Sequence, residues 1–320
     1  MFDSAGDQMV CEIGGVKLGG RPGEYPTVVC SSIFQKGDRI FQGRRKQGFD
    51  EKRAEELLKT QERMASETGV PGMADIVANT GEEFRTCIDF VLSVSDMPFC
   101  IDAWKLKPKL EGAAYCAEKG FLDRMFYNSL TVWGEDLETE IREISRIGVK
   151  HVLLVAYDME DQMPSGRMKG LQKLLDAIEK AGARFESIIV DTSVMNGPAV
   201  AICSAANKMI KEKWGFPCAS APSNGSYMWK AAREMWGFKG WAAADAALGA
   251  LAATMHHDMI FAGPMAGAPR IFPAVAMADA YSATLAFAET GRFPAEKTHP
   301  LNRLFPEFAG QLKKSSKGEN

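Results

Sequence analysis

Histidine is scarce in this chain, and its four copies fall in poor places for catalysis. His151 opens an apolar run, His256 and His257 immediately precede another, and His299 lies in the tail. If those runs are barrel strands, the first three sit at the amino ends, away from the rim where such folds do chemistry. A hydrolase built on paired metal-binding histidines is disfavoured by that placement, and so is a histidine general base. Cysteine pairs are missing too. The seven cysteines are scattered without any CxxC spacing, so neither a zinc knuckle nor a dithiol redox centre is signalled. There is no GxxxxGK(S/T) phosphate loop and no GxSxG nucleophile elbow. Basic clusters are absent and the net charge is −3, which argues against tracking a nucleic-acid backbone. The start, MFDSAGDQMV, lacks the basic flank and apolar core of a secretory signal. The longest apolar stretch, WAAADAALGALAATM, carries Asp245 and is short for a bilayer span. The expectation is a reduced, cytoplasmic protein with no metal bound by its own residues and no membrane insertion.

What is present is alternation. Between Thr27 and Gly291, eight apolar runs are each followed by a helical segment: TVVCSSIF, GMADIVAN, PFCIDAW, RMFYNSLT, HVLLVAYD, SIIVDTS, PCASAPSN and MIFAGPMAG. After the first run, Ala54, Leu57, Leu58, Gln61 and Met64 recur at helical spacing over Asp50–Thr68. Further helices are expected over Asp136–Ile147, Gly166–Ala181, where Gly182 supplies a stop, and Pro198–Trp214, with Pro198 in the first turn. A long segment from Tyr227 to His257 carries breaks near Gly237 and Gly240, and the last helix spans Phe272–Thr290. The span fits the roughly 250 residues of an α/β (β/α)8 TIM barrel. The rival, an open doubly wound sheet, needs a Gly-rich phosphate turn after its first strand, and none is there. One domain is expected. Residues 1–26, with VCEIGGVKLGGRPGEYP, form a short hairpin lid; 27–291 form the barrel; 292–320 form a C-terminal extension. In that extension LNRLFPEFAG packs on the barrel or a partner and KKSSKGEN is disordered.

The chemistry lies where the runs end. Asp75, Asp102, Asn128, Asp191 and Asn224 close five of them and share one rim if the strands form a ring. Carboxylates accept from ring N–H and amino groups, and carboxamides both donate and accept. A pyrimidinone edge, as in a pterin, offers adjacent donors that suit a carboxylate in bidentate fashion. Any one of these aspartates could instead cap the helix that follows it, but a recurrence on several strands favours a binding site. Lys105 and Lys107 could meet an anionic tail or be merely solvated, and Asp158 and Asp161 could be rim groups or loop polarity. Cys100 and Cys218 read as small hydrophobes within strands.

At these residues the chain resembles a known family. IDAW, YNS, VDT and SNGS sit where the pterin-dependent methyltransferases carry their pterin-contacting Asp and Asn residues. EIGGVKLGGRPGEYPTVV, PFCID, the GP of MIFAGP and FPAVAMADA are more closely similar to the H subunit of tetrahydromethanopterin S-methyltransferase and its soluble relatives. The likeness runs from about Met9 to Arg292. It implies methyl transfer between a protein-bound corrinoid (methylcobalamin) and a tetrahydropterin. The first reading is transfer to tetrahydrofolate, giving methyltetrahydrofolate, during anaerobic demethylation of a substrate such as glycine betaine. The alternatives are a tetrahydromethanopterin-using counterpart and a non-catalytic subunit of a corrinoid methyltransferase complex. By the resemblance, Asp75, Asp102, Asn128, Asp191 and Asn224 hold the pterin, and Asn224 bonds the reacting nitrogen. A small corrinoid-binding protein docks over the rim, and the chain pairs as a homodimer. A dihydropteroate-synthase-like condensing enzyme is a rival with the same pterin grip. It wants an Arg/His pair near MIFAGPMAG, which that run lacks.

Overall fold

Paired glycines begin the chain's architecture. The computed structural model describes residues 7–41, 48–294 and 296–316. Its first elements, β1 (Val10–Ile13) and β2 (Val16–Gly19), pair antiparallel across Gly14 and Gly15. Both turn residues have positive φ, 52° and 82°, the signature of a two-residue hairpin turn that glycine adopts without steric cost.

Each of the eight apolar runs then supplies one strand: β3 (Val28–Ile33), β4 (Gly72–Val77), β5 (Phe99–Asp102), β6 (Met125–Thr131), β7 (His151–Val155), β8 (Ser187–Asp191), β9 (Cys218–Ser220) and β10 (Met259–Pro264). They close into a TIM barrel, every neighbour parallel and β10 pairing back onto β3. The intervening helices are α1 (Glu51–Thr68), α2 (Gly81–Val94), α3 (Leu106–Glu118), α4 (Leu137–Ile147), α5 (Pro164–Lys180) and α6 (Ala199–Trp214). A short α7 (Pro222–Tyr227) precedes α8 (Ala231–Thr254), and α9 (Ala268–Thr290) follows β10. Local chemistry sets several boundaries. Asp50 caps α1 by accepting from the Arg53 amide at 3.1 Å, and Asp136 caps α4 by accepting from Thr139 at 3.0 Å. α5 starts at Pro164, earlier than the Gly166 the sequence suggests, because proline suits a first turn. The break expected in the long helical segment falls at Gly237, whose backbone leaves the helix, while Gly240 stays within it.

The hairpin does not lie where a lid would. Gly14 donates to the Asp123 carbonyl and Met9 to that of Gly215, both at 2.9 Å, at the amino ends of β6 and β9. Cys11, Ile13 and Leu18 plug that end, so the hairpin is a stopper opposite the mouth. The C-terminal extension begins with α10 (Pro300–Leu304) and α11 (Pro306–Ser316). Leu301 and Ala309 pack on Ala280 and Ala283 of α9. KKSSKGEN, expected to be disordered, is helical as far as Ser316, because Leu312 extends the apolar face that docks on the barrel; 317–320 lie outside the described residues, as do 1–6 of the hairpin region. Among the described residues one segment, Met265–Thr290, is long and apolar enough to cross a membrane by length and composition. Its Ile271, Phe272, Val275 and Ala276 are instead buried in the barrel's helical layer.

Candidate active site in the barrel mouth

Strand periodicity builds the site. Alternate residues of a barrel strand point inward. Val28, Cys30, Met73, Cys100, Phe126, Leu153, Ile189, Ala219 and Met259 share one buried cluster with the hairpin plug, and so fill the interior. Two residues further along those strands come Ser32, Asp75, Asp102, Asn128 and Asp191, which therefore face inward one layer higher. In the register Ser32 lies opposite Asp75, Asp102 opposite Asn128 and Val155 opposite Asp191, while Asp75 lies opposite Cys100, one inward position below Asp102. Three carboxyls and one carboxamide thus stand on a floor of apolar and sulfur-bearing side chains.

The floor and walls push these carboxyls toward their neutral forms. Asp75 is buried, and burial with the nearby charge of Asp102 raises its pKa well above the carboxylate range, although the Asn128 amide donates to it at 3.4 Å. Burial pushes Asp102 up to about 6, against the opposing pull of Lys109. Asp191 is also pushed up to about 6 by burial, opposed by the Ser193 amide, which donates to it at 2.6 Å, and by the charge of Arg167. No Lys, Arg or His among the described residues makes an ion pair with any of the three. Beside them, the buried Ser32 hydroxyl has no hydrogen-bond partner among the described residues. Carboxyls with no paired cation and an unused hydroxyl fit a ligand rich in N–H groups. A reduced pterin ring has that edge. Among the described residues no group of three or more His, Cys, Asp or Glu is arranged to hold a metal ion.

The structure brings Asp75, Asp102, Asn128 and Asp191 together as the sequence suggests, but Asn224 differs. It does not end a strand. β9 stops at Ser220, and Pro222 opens α7, so Asn224 is presented from a short helix with its side chain exposed. Lys105 and Lys107 are exposed at the start of α3, Lys107 beside Glu111 at 3.7 Å. Asp158 and Asp161 organise their own loop, accepting from the Glu160 and Met163 amides. Of the histidines, His151 bonds Ser187 at 2.9 Å at the amino end, and His299 caps α10.

Two cations escaped the sequence reading. Lys109 is buried beneath the site, 2.7 Å from both Glu140 and the Ser129 carbonyl, while Tyr127 donates to Glu140 at 2.6 Å. Arg167, also buried, donates to the Ser193 carbonyl at 2.9 Å and so fixes the turn beyond Asp191. A signal existed for both. Lys109 is in phase with Gly112, Ala113 and Cys116, and Arg167 with Gly170, Leu171 and Leu174, the stripes that α3 and α5 bury.

Comparison with known proteins fits this geometry. A family model described as the tetrahydromethanopterin S-methyltransferase MtrH subunit matches residues 6–291. The tetrahydromethanopterin S-methyltransferase H subunit of Methanopyrus kandleri is 32% identical over 315 residues, covering 92% of this chain and 97% of that protein. The H subunit of a putative mtx methyltransferase of Methanosarcina barkeri is also 32% identical, over 95% of this chain and 100% of its own length. Among solved structures, dihydropteroate synthase of Yersinia pestis superposes with a TM-score of 0.59 at 12% identity, covering 86% of this chain and 98% of that one. That last likeness is one of fold.

Proposed function

This chain belongs to the family of the tetrahydromethanopterin S-methyltransferase MtrH subunit, and from that premise we propose that it transfers a methyl group between a corrinoid carried by a partner protein and a tetrahydropterin in its barrel mouth. The observation that carries the reading is the inward-facing group of Asp75, Asp102, Asn128 and Asp191 above the barrel floor. The relatives' names favour tetrahydromethanopterin as the pterin, ahead of tetrahydrofolate in a betaine-demethylating system.

In this reading the carboxylates of Asp75, Asp102 and Asp191 accept from ring N–H and amino groups, and Asn128 follows the ring with its amide. A site so built rejects rings lacking those donors, since its buried acceptors would be left unpaired. The corrinoid supplies or accepts the methyl group at cobalt. Methyl arrival at a ring N–H leaves a proton to be lost there, and methyl departure calls for one to be supplied. Asn224, on α7 at the mouth, holds that proton's position with an ordered water, and such assistance is worth roughly two to four orders of magnitude. Fixing the ring supplies much of the remaining acceleration by orientation.

With the pterin inside, the corrinoid protein has only the rim to dock on. The loops after β5, β6, β7 and β8 expose Trp104, Trp133, Met159 and Met195, apolar surface that suits a transient protein contact. Pairing of two copies is the expected assembly, checked by light scattering. The deciding experiment mixes the isolated chain anoxically with methylcobalamin and either tetrahydropterin, and follows the cobalamin spectrum. Demethylation dependent on tetrahydromethanopterin is expected. A preference for tetrahydrofolate would restore the betaine reading, and no reaction with either would leave a non-catalytic subunit.

A further inference from the structure

Asn224 sits in a helix of six residues, too short to hold itself in place. Its surroundings are heavily braced. Ser223 donates to the Phe261 carbonyl of β10 at 2.9 Å. Ser226 donates to Asp245 of α8, and the Ser226 carbonyl accepts from the Trp241 indole at 3.1 Å. The Asp245 carboxylate is buried, and its other oxygen takes Arg270 of α9 in a fork, Nε at 2.7 Å and Nη2 at 2.6 Å. Arg270 reaches back to α7 by donating to the Tyr227 hydroxyl at 2.9 Å. Tyr227 stands edge-on to Trp241 with centroids 4.9 Å apart, and the Arg270 guanidinium lies 5.0 Å from the Trp241 ring centre. Gly225 completes the seat: a Cβ there would come within 2.8 Å of Gly197. Asn224 is thus flanked on both sides by anchored residues and is the exposed one between them.

We infer that Asp245, Arg270 and Tyr227 are positioning residues that hold α7, and with it the Asn224 amide, at the reacting nitrogen. This rests on the catalytic role proposed for Asn224. An Arg–Asp pair on a buried carboxylate, two guanidinium nitrogens on one oxygen and three elements joined, suits that task, because reacting groups lose rate steeply with displacement. Lysine cannot replace Arg270, since one ammonium lacks the planar fork that spans Asp245 and Tyr227.

The test compares Tyr227→Phe, Arg270→Lys and Asp245→Asn with Asn224→Ala. For each, turnover, tetrahydropterin affinity by titration, and hydrogen exchange of the 222–228 backbone are measured. Faster exchange confined to 222–228 is expected, with turnover down about tenfold to a hundredfold and pterin affinity within about twofold of native. Tyr227→Phe removes one hydroxyl and keeps the inference open to refutation should Asp245→Asn not fold. Native exchange in Tyr227→Phe and Arg270→Lys overturns the inference, and so does faster exchange with native turnover while Asn224→Ala is impaired. Native turnover in Asn224→Ala itself, with α7 still loosened by the clamp variants, removes the catalytic role on which the inference rests, so the two failures are told apart.

Discussion

Asp258, at the amino end of the barrel, and the acids of the mouth are buried in opposite ways. At the amino end, Asp258 is held by Lys211 at 2.8 Å, and its carboxylate also accepts from the Cys218 amide at 2.7 Å. Lys211 spends its remaining reach on the Gly20 carbonyl at 3.3 Å. Both charges of that pair are met within the chain. At the mouth, Asp75, Asp102 and Asp191 have no ion-pair partner among the described residues, and the buried cations whose charge reaches them are engaged elsewhere, Lys109 with Glu140 and Arg167 with the Ser193 carbonyl. Burial of an ionisable group without its complement costs stability. The Asp258 pair is therefore arranged for cohesion, and the mouth is arranged for something that arrives from outside.

That contrast can be broken or sharpened by substitution. The largest effect belongs to Lys211→Met, which leaves Asp258 without its cation; a loss of about 3–5 kcal/mol in denaturant melts is expected, with pterin affinity unchanged in whatever protein remains folded. Next is Asn224→Ala, expected to lower turnover by about two orders of magnitude while pterin affinity, read by titration, stays near native. Asp102→Ala and Asp191→Ala should each weaken tetrahydropterin binding by about tenfold or more, because ring donors lose buried acceptors. Equal and near-native kinetics across these three variants would remove the roles assigned to them.

The pH dependence follows from the same acids. With the mouth empty, Asp102 and Asp191 titrate near 6, so acidification protonates the groups that must accept from the ring. Pterin affinity should fall by about tenfold for each of the two carboxyls, about a hundredfold together, as pH drops from 7 to 5, and an affinity that rises instead would mean that the neutral carboxyls are the binding forms. The smallest effect concerns stability. Asp191 has a folded pKa near 6, above the 3.8 of a free side chain, so it binds its proton more tightly when folded and destabilises the fold once ionised. Asp191→Asn should therefore raise Tm at pH 7.5 by roughly 2 °C and leave it unchanged near pH 4. Weaker binding with a more stable fold is the combination that separates a mouth acid from Asp258.

Much of this was legible in the residues. Eight apolar runs alternating with helical spacing define the barrel, and polar residues at the close of several runs mark its rim; Asp75, Asp102, Asn128 and Asp191 meet as that pattern requires. The position of Asn224 was less legible, because a proline two residues before it converts the end of an apparent strand into a separate helix. Lys109 and Arg167 were hidden by their charge. Long cationic side chains are ordinarily solvated, and only their phase with the apolar stripes of α3 and α5 betrays that they point inward. The end the hairpin covers is not legible for a simpler reason: local pairing reveals a turn, but nothing in a short alternating segment says which opening it covers.

Its location has a consequence for the order of events. With Ile13 and Leu18 corking one end, the barrel is a cup with a single opening, and nothing can pass through it. A ring bound at the bottom of a cup has to go in before the cover is placed and come out after it is removed. On the proposed transfer from a carrier docked over the rim, successive turnovers require the carrier to leave between them, and a carrier that grips too well becomes an inhibitor.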